Sequence, residues 1–169
     1  MTRPLACAAL LFSVAAWAQD AGKADAGVAP PKPHPVFAIG KGSPVLEQWA
    51  KSKPEARAAL PTLKTVKIGE RAYFGIFLEG WELPASRKVD LSADILITDC
   101  NKRQVLEKAN VAATKMMDPR VHVVVPLLPA VELMYGLTDP ECAYSVKLTI
   151  FDLVRGTSWT SEGSFTVAR

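Results

Sequence analysis

The side chains best suited to metal chemistry are one histidine and a small group of methionines. Met116 and Met117 lie shortly before His122, and Met134 follows further along the chain. Thioether and imidazole groups are ligands that copper accepts. However, their spacing matches no ligand pattern, and methionine usually fills gaps in a core. We therefore expect no cofactor, with a copper site built from these four residues as the alternative.

The sequence has few of the residues and motifs that enzymatic catalysis requires. The other histidine, His34, falls in a proline-rich stretch, which leaves His122 for any Ser/His/Asp or Cys/His site. The sequence contains no nucleophile elbow before a helix, no glycine-rich phosphate loop and no HExxH or CxxC motif. Asp90 and Asp94 share one parity of an alternating stretch, which is the pattern of a solvated strand face. The sequence predicts that the protein is not an enzyme.

Binding of a glycan or a peptide would use exposed aromatic side chains. The candidate interaction residues are Trp81, which follows Gly80 at a predicted loop, together with Tyr135 and Trp159. A lone aromatic residue near a strand end more often covers a core. The apolar, proline-broken run from Val123 to Met134 also has two interpretations. We expect a buried strand with a connecting loop, and an exposed docking surface is the alternative.

The first 18 residues have the three parts of a secretory signal. Arg3 supplies a positive charge, Leu5 to Ala16 form an uncharged apolar run, and Ala16-Trp17-Ala18 offers a small-x-small cleavage site. The apolar run is too short for a membrane span of roughly 20 residues. We therefore expect a periplasmic or secreted protein, cleaved near Ala18, with no membrane span in the mature chain.

Removal of the signal peptide changes the cysteine count. Cys7 is lost with it, and the mature chain keeps Cys100 and Cys142. An even pair of cysteines in an oxidising compartment predicts one disulfide, with only one possible connectivity. A lipoprotein acylated at Cys7 is the alternative, although that cysteine would fall inside the apolar run.

Composition indicates one globular domain behind a short leader. The 169 residues are 49% hydrophobic and 22% charged, with a net charge of only +3, so we expect no nucleic-acid partner. Residues 19–35 are rich in proline, alanine and glycine, which predicts a disordered leader. Residues 36–62 predict a short helical appendage that opens at Ser43-Pro44. A β domain is expected over residues 63–169.

Alternation of apolar and polar residues dominates the chain from residue 63 onward. Val89 to Ile97 and Tyr144 to Ile150 alternate most cleanly, and turn residues such as Asp139-Pro140 and Arg155-Gly156 separate the runs. About seven strands with turns at this spacing predict a mostly β protein. The expected fold class is an antiparallel two-sheet sandwich.

The segment from Asp139 to Asp152 resembles strand F of immunoglobulin-like and fibronectin-III-like domains. There, a turn leads to a tyrosine, here Tyr144, and then to an alternating strand and a hairpin. The resemblance covers roughly residues 63–167 at the level of the fold. It implies that the tyrosine hydroxyl bonds to nearby backbone. It also implies neighbouring strands C and F that bring Cys100 and Cys142 to the same end, although the inter-sheet bridge of immunoglobulin domains is not carried over.

Together these features predict an exported, non-catalytic interaction or structural module with an immunoglobulin-like fold. The expected partner is another envelope or extracellular protein. The alternative is a ligand-binding module that takes a glycan through an exposed tryptophan or copper through its methionines and histidine. A fold of this kind hosts many functions, so the choice among these depends on the site.

Overall fold

Most of the described chain is β-strand. The computed structural model describes residues 32–57, 59–114 and 124–169, so the predicted signal peptide, most of the leader and three copper candidates (Met116, Met117, His122) lie outside the described residues. The prediction of a mostly β protein is confirmed. The elements are β1 (His34–Gly40), α1 (Ser43–Lys51), α2 (Pro54–Arg57), β2 (Thr65–Lys67), β3 (Arg71–Glu79), β4 (Leu91–Thr98), β5 (Gln104–Thr114), β6 (Val125–Met134), β7 (Ala143–Asp152) and β8 (Thr157–Ala168).

The eight strands of the described ranges form one curled sheet in the order β1–β3–β6–β5–β4–β7–β8–β2. Neighbours run antiparallel, except that β2 runs parallel to β8. The predicted pair of antiparallel sheets with about seven strands is therefore corrected to one mixed sheet of eight. Its halves are joined by a single residue pair, Ala113 opposite Leu128. The sequence could not predict this join, because a strand has the same period whichever strand lies beside it.

The sheet begins at His34, within the stretch that the sequence divides between leader and helical appendage. β1 pairs with β3 along its whole length. Phe37 and Ile39 pack on the main core, whereas Val36 and Ala38 pack on the opposite face, against α1. Because β1 is one of the two edge strands of the sheet, a proline such as Pro35 is tolerated within it.

Close packing of β1 on β8 shows how the sheet curls. The Phe37 ring lies directly over Gly163 of β8, and a Cβ atom at that glycine would come within 2.6 Å of the ring. Phe37 also stacks on Phe74, with 4.7 Å between the ring centroids. One core is thereby enclosed between the two halves of the sheet. Gly163 is required here for close approach rather than for an unusual backbone conformation.

The alternation predicted for β7 is confirmed. Four hydrophobic residues of one parity are at most 1% exposed: Tyr144, Val146, Leu148 and Ile150. The Tyr144 hydroxyl donates a hydrogen bond to the Pro140 carbonyl at 3.1 Å, so the tyrosine ties the preceding turn to the strand. β4 and β8 are the two neighbours of β7 in the sheet, which makes β7 a central strand.

The two helices lie between β1 and β2. α1 begins after Gly42, with Pro44 in its first turn, where a missing backbone N–H leaves no hydrogen bond unmade. Leu46 and Ala50 are buried against the outer face of β1, β3 and β6. No helix of the described residues is long and apolar enough to cross a membrane.

Candidate functional site

A groove lies between α1 and the outer face of the sheet, with a volume of about 610 Å³. We call it the α1–β6 groove, because α1 forms one wall and β6 forms the other. The side chains and backbone that line it are mainly apolar, including Leu46, Ala50, Gly75, Phe77, Leu128 and Ala130. Its size is within the range of pockets that bind small molecules or a short chain segment.

An irregularity in strand pairing creates this groove. The register between β3 and β6 shifts between Phe74 and Ile76, so that the Leu128–Ala130 segment of β6 bulges away from Gly75. Gly75 contributes backbone alone to the floor of the groove, because Phe77 and Leu46 occupy the place where its Cβ atom would lie. A Cβ atom at Gly75 would lie 2.8 Å from the Phe77 ring.

The rim of the groove exposes apolar surface beside two charges. Leu128 is 63% exposed, although it lies within a strand and next to an apolar cavity. Glu47 and Lys51, one helical turn apart on α1, stand on the opposite wall. Such a site can bury an apolar side chain of a partner.

A buried ion pair fastens α2 to the sheet beside this groove. Arg57 is 8% exposed, and its Nη1 donates to Glu79 Oε1 at 2.8 Å. Its Nε donates to the Ser52 carbonyl at 3.0 Å, and its guanidinium stacks on Trp49 at 4.3 Å. Among the described residues, no hydrogen-bond partner is found for its Nη2 atom. His34 reaches the other oxygen of Glu79 at 3.3 Å, so one carboxylate holds both β1 and α2.

Trp81, a candidate interaction residue, is half-buried against the core. Its indole N–H donates to Asp152 Oδ2 at 3.0 Å. Asp152 is itself only 1% exposed. The Arg155 guanidinium lies 5.3 Å from the centre of the indole ring. The structure therefore places Trp81 as a lid over one end of the core, with its polar atom already bonded.

The other two candidate interaction residues also pack on the core. Tyr135 is 4% exposed and makes an edge-to-face contact with Tyr144 at 5.0 Å. Burial raises the pKa of the Tyr135 hydroxyl well above its usual range, and Tyr144 and the Asp139 carboxylate raise it further. Trp159, on β8, is half-buried against the same core. The structure does not bring Trp81, Tyr135 and Trp159 together into one exposed surface.

Cys100 and Cys142 lie at disulfide-bonding distance, as predicted. Their Cα atoms are 6.1 Å apart, within the range that a disulfide spans. β4 and β7 are antiparallel neighbours whose last pair is Thr98 opposite Ser145. The end of β4 and the start of β7 therefore carry the two cysteines to the same end of the sheet.

One of the four copper candidates lies within the described ranges. No group of three His, Cys, Asp or Glu side chains there could hold a metal ion. Met134, the one copper candidate that the structure describes, is 64% exposed on β6. Met116, Met117 and His122 lie outside residues 32–57, 59–114 and 124–169.

Sequence reasoning missed the residues of α1 and β3 that line the groove. Nothing in the order of residues marks Gly75 as the floor of a binding site. The signal that was present is the run from Val123 to Met134, whose prolines interrupt an apolar strand. In the structure, β6 is a strand with buried residues whose bulge forms the exposed rim of the groove.

Comparison with known proteins assigns no family. No protein-family model matches this sequence, and no curated protein does. Among solved structures, a β-glucuronidase from Parabacteroides merdae, crystallised with glycerol in its active site, is similar with a TM-score of 0.35 and 13% identity. The alignment covers 57% of this chain and 11% of the β-glucuronidase chain. A likeness this low carries no argument about function. The fold and the groove define a mostly β protein with an apolar site on its outer face.

Proposed function

We propose that the protein is an exported, non-catalytic interaction module that holds an apolar segment of another envelope or extracellular protein in the α1–β6 groove. The observation that carries this proposal is the combination of an apolar groove with a rim residue, Leu128, that is 63% exposed. Burying the exposed part of this side chain against a partner would contribute about 1–2 kcal/mol. Leaving it in water offers no stabilisation to the isolated domain.

Export is the second part of the proposal. It is supported by the pattern of Arg3, the apolar run and Ala16-Trp17-Ala18 at the N-terminus. A pair of cysteines at bonding distance suits an oxidising compartment. N-terminal sequencing of the protein from the periplasm or the medium should begin at Gln19. A soluble cytoplasmic protein that keeps Met1 would contradict this part.

The resemblance to immunoglobulin-like domains is also part of the proposal. It is supported by the hydrogen bond from Tyr144 to Pro140, which is the contact that the resemblance implies for a tyrosine at this corner. The position of β7 between β4 and β8 supports it as well. Such a resemblance would be consistent with a binding role but would not define the partner.

The two ligand-binding alternatives have less support. A glycan would need an open aromatic face, whereas Trp81 and Trp159 both pack on the core. For copper the support is the residue types alone, because Met116, Met117 and His122 lie outside the described residues. Neither alternative has an observation comparable to the groove.

Site-specific photo-crosslinking in intact cells tests the proposed docking site. A photoreactive amino acid replaces Leu128 on the rim, and a matched variant carries it at Leu137, which is 79% exposed in the loop after β6. We expect a discrete protein adduct from position 128 and none from position 137. No adduct at position 128, or the same adducts from both positions, would contradict the proposal.

A further inference from the structure

β8 has an open edge along most of its length. One side of the strand pairs with all of β7 without a register shift. On the other side, β2 pairs with Thr166–Ala168 alone. Among the described residues, no strand pairs with Thr157–Phe165 on that side. The strand therefore offers a long edge to which another strand can be added.

Backbone hydrogen-bonding groups line this edge. The Thr166 N–H donates to the Lys64 carbonyl on the β2 side, whereas the Val167 N–H donates to the Cys142 carbonyl on the β7 side. Because the N–H and C=O groups of successive residues point to opposite sides of a strand, the other even-numbered residues of β8 also point these groups away from β7. They are Ser158, Thr160, Glu162 and Ser164, and all four residues are exposed.

Edges elsewhere in the described sheet carry features that oppose pairing with another chain. β1 and β6 contain prolines, and β2 has only three residues. β5 has an irregular register with β4 beside Asn110, whose φ is 50°, and it exposes Lys108. Proline, short length, bulges and lysine all protect sheet edges from association. Thr157–Phe165 of β8 contains no proline or lysine and has no shift in register.

We propose that this edge of β8 pairs with the same edge of a second copy of the chain, in an antiparallel dimer about a two-fold axis. A long, regular edge without protection promotes uncontrolled association unless a strand covers it. Pairing of two identical edges is a closed arrangement, because each copy uses up the edge that it offers. None of these residues lines the α1–β6 groove, so the inference is independent of the proposed docking site.

The side chains along the edge are complementary to themselves. Serine and threonine hydroxyls both donate and accept hydrogen bonds, and such pairs across neighbouring strands are favourable. The one charged side chain, Glu162, lies opposite Lys147 within its own sheet. A two-fold axis at Thr160 places Glu162 opposite Ser158 of the second copy, where the carboxylate can accept from the hydroxyl. The two glutamates are thereby kept apart, and no like charges meet directly across the interface.

Sedimentation of the mature protein over a wide range of concentration tests this inference. We expect a monomer that converts to a dimer as concentration rises. Thr160→Pro removes an N–H that faces solvent in the monomer, where an edge strand tolerates proline. With the axis at Thr160, this change removes both hydrogen bonds between the two copies of that residue. It should weaken dimerisation by about tenfold or more.

Matched variants separate edge pairing from other effects of the substitution. The Thr160 hydroxyl lies 3.0 Å from the Thr149 hydroxyl of β7, so Thr149→Ala loses the same side-chain contact and keeps the edge backbone. That variant should dimerise like the wild type. Leu128→Asp in the groove should do so as well, which makes failure of this inference distinguishable from failure of the docking proposal. Circular dichroism should show that Thr160→Pro keeps its strand content.

Amide hydrogen exchange measured by NMR in the wild-type protein gives a second test that needs no variant. Raising the concentration should slow exchange at the N–H groups of Thr160 and Glu162, which face the open edge. Exchange at Ser161 should change less, because its N–H already points to β7. This alternation along one strand is the signature of added strand pairing.

Three results would overturn the inference. The first is a protein that stays monomeric at every concentration, and the second is a folded Thr160→Pro variant that dimerises as tightly as the wild type. The third is a dimer whose formation slows exchange at other surfaces but leaves Thr160 and Glu162 unchanged. If Thr160→Pro does not fold, the exchange pattern of the wild type decides between these outcomes.

Discussion

The ion pair between Arg57 and Glu79 gives a prediction about which partner is more costly to lose. Arg57 is 8% exposed, and its other partners are the Ser52 carbonyl and the face of Trp49. Glu79 has a side chain that is 24% exposed and a second partner, His34. Removing Glu79 therefore leaves a buried cation, whereas removing Arg57 leaves a carboxylate that water and His34 can reach.

The magnitudes follow from this asymmetry. Breaking a buried ion pair so that one charge stays buried typically costs about 3–5 kcal/mol. We expect Glu79→Gln to lower the free energy of unfolding by about 3 kcal/mol, at the low end because the amide oxygen still accepts a hydrogen bond. Arg57→Met keeps an apolar stem against Trp49 and should cost about 1 kcal/mol or less. The double variant should resemble Arg57→Met alone.

Urea unfolding at neutral pH measures these three variants against the wild type. Tryptophan fluorescence and far-ultraviolet circular dichroism should give coincident transitions, which would justify a two-state free energy. The double variant should be more stable than the sum of the single changes predicts, by roughly 2 kcal/mol or more. The reasoning fails if Arg57→Met is the more destabilising change, or if the two changes are additive.

Three further predictions concern stability. Replacing Cys100 and Cys142 together by Ala should lower the free energy of unfolding by about 3–4 kcal/mol, because the bridge closes a long loop in the unfolded chain. The strand content should stay the same, and an unchanged urea midpoint would contradict the prediction. Leu148→Ala should lower the free energy of unfolding by about 2–5 kcal/mol, because that side chain is buried. Lys147→Ala should lower it by less than about 0.5 kcal/mol, because that side chain is exposed. Equal losses for the two variants would contradict the alternation. Burial raises the pKa of Tyr135 in the folded protein. The free energy of unfolding should therefore be constant below about pH 10 and fall above it, and it should fall less in Tyr135→Phe than in the wild type. Identical alkaline profiles for the two proteins would refute this.

Strands with a regular period were the part of the fold that the sequence predicts well. The alternation through Tyr144, Leu148 and Ile150 places these residues on the core because period two corresponds directly to one face of a sheet. The pairing of Cys100 with Cys142 was predictable for a related reason. Once β4 and β7 are antiparallel neighbours, the end of one must lie beside the start of the other.

Long-range contacts account for what the sequence did not predict. β1 was missed because Pro33 precedes it and Pro35 is its second residue, and because its assignment depends on pairing with β3 far along the chain. The groove depends on a register shift at Gly75 and on how closely α1 approaches the sheet. Neither the register shift nor the position of α1 can be predicted from a local sequence pattern. Likewise, Tyr135 could be placed in the core only after its contacts with Tyr144 were known.

The most direct test of the proposed docking site is crosslinking from one wall of the groove while the other wall is changed. A photoreactive residue replaces Ser43, an exposed residue on the α1 side, in the exported protein of intact cells. The variant Leu128→Asp places a charge on the opposite rim, and Leu137→Asp places one in the loop after β6 as a control. We predict that the adduct from position 43 is lost with Leu128→Asp and kept with Leu137→Asp. An adduct that survives Leu128→Asp, in a protein that remains folded, would contradict docking in the α1–β6 groove.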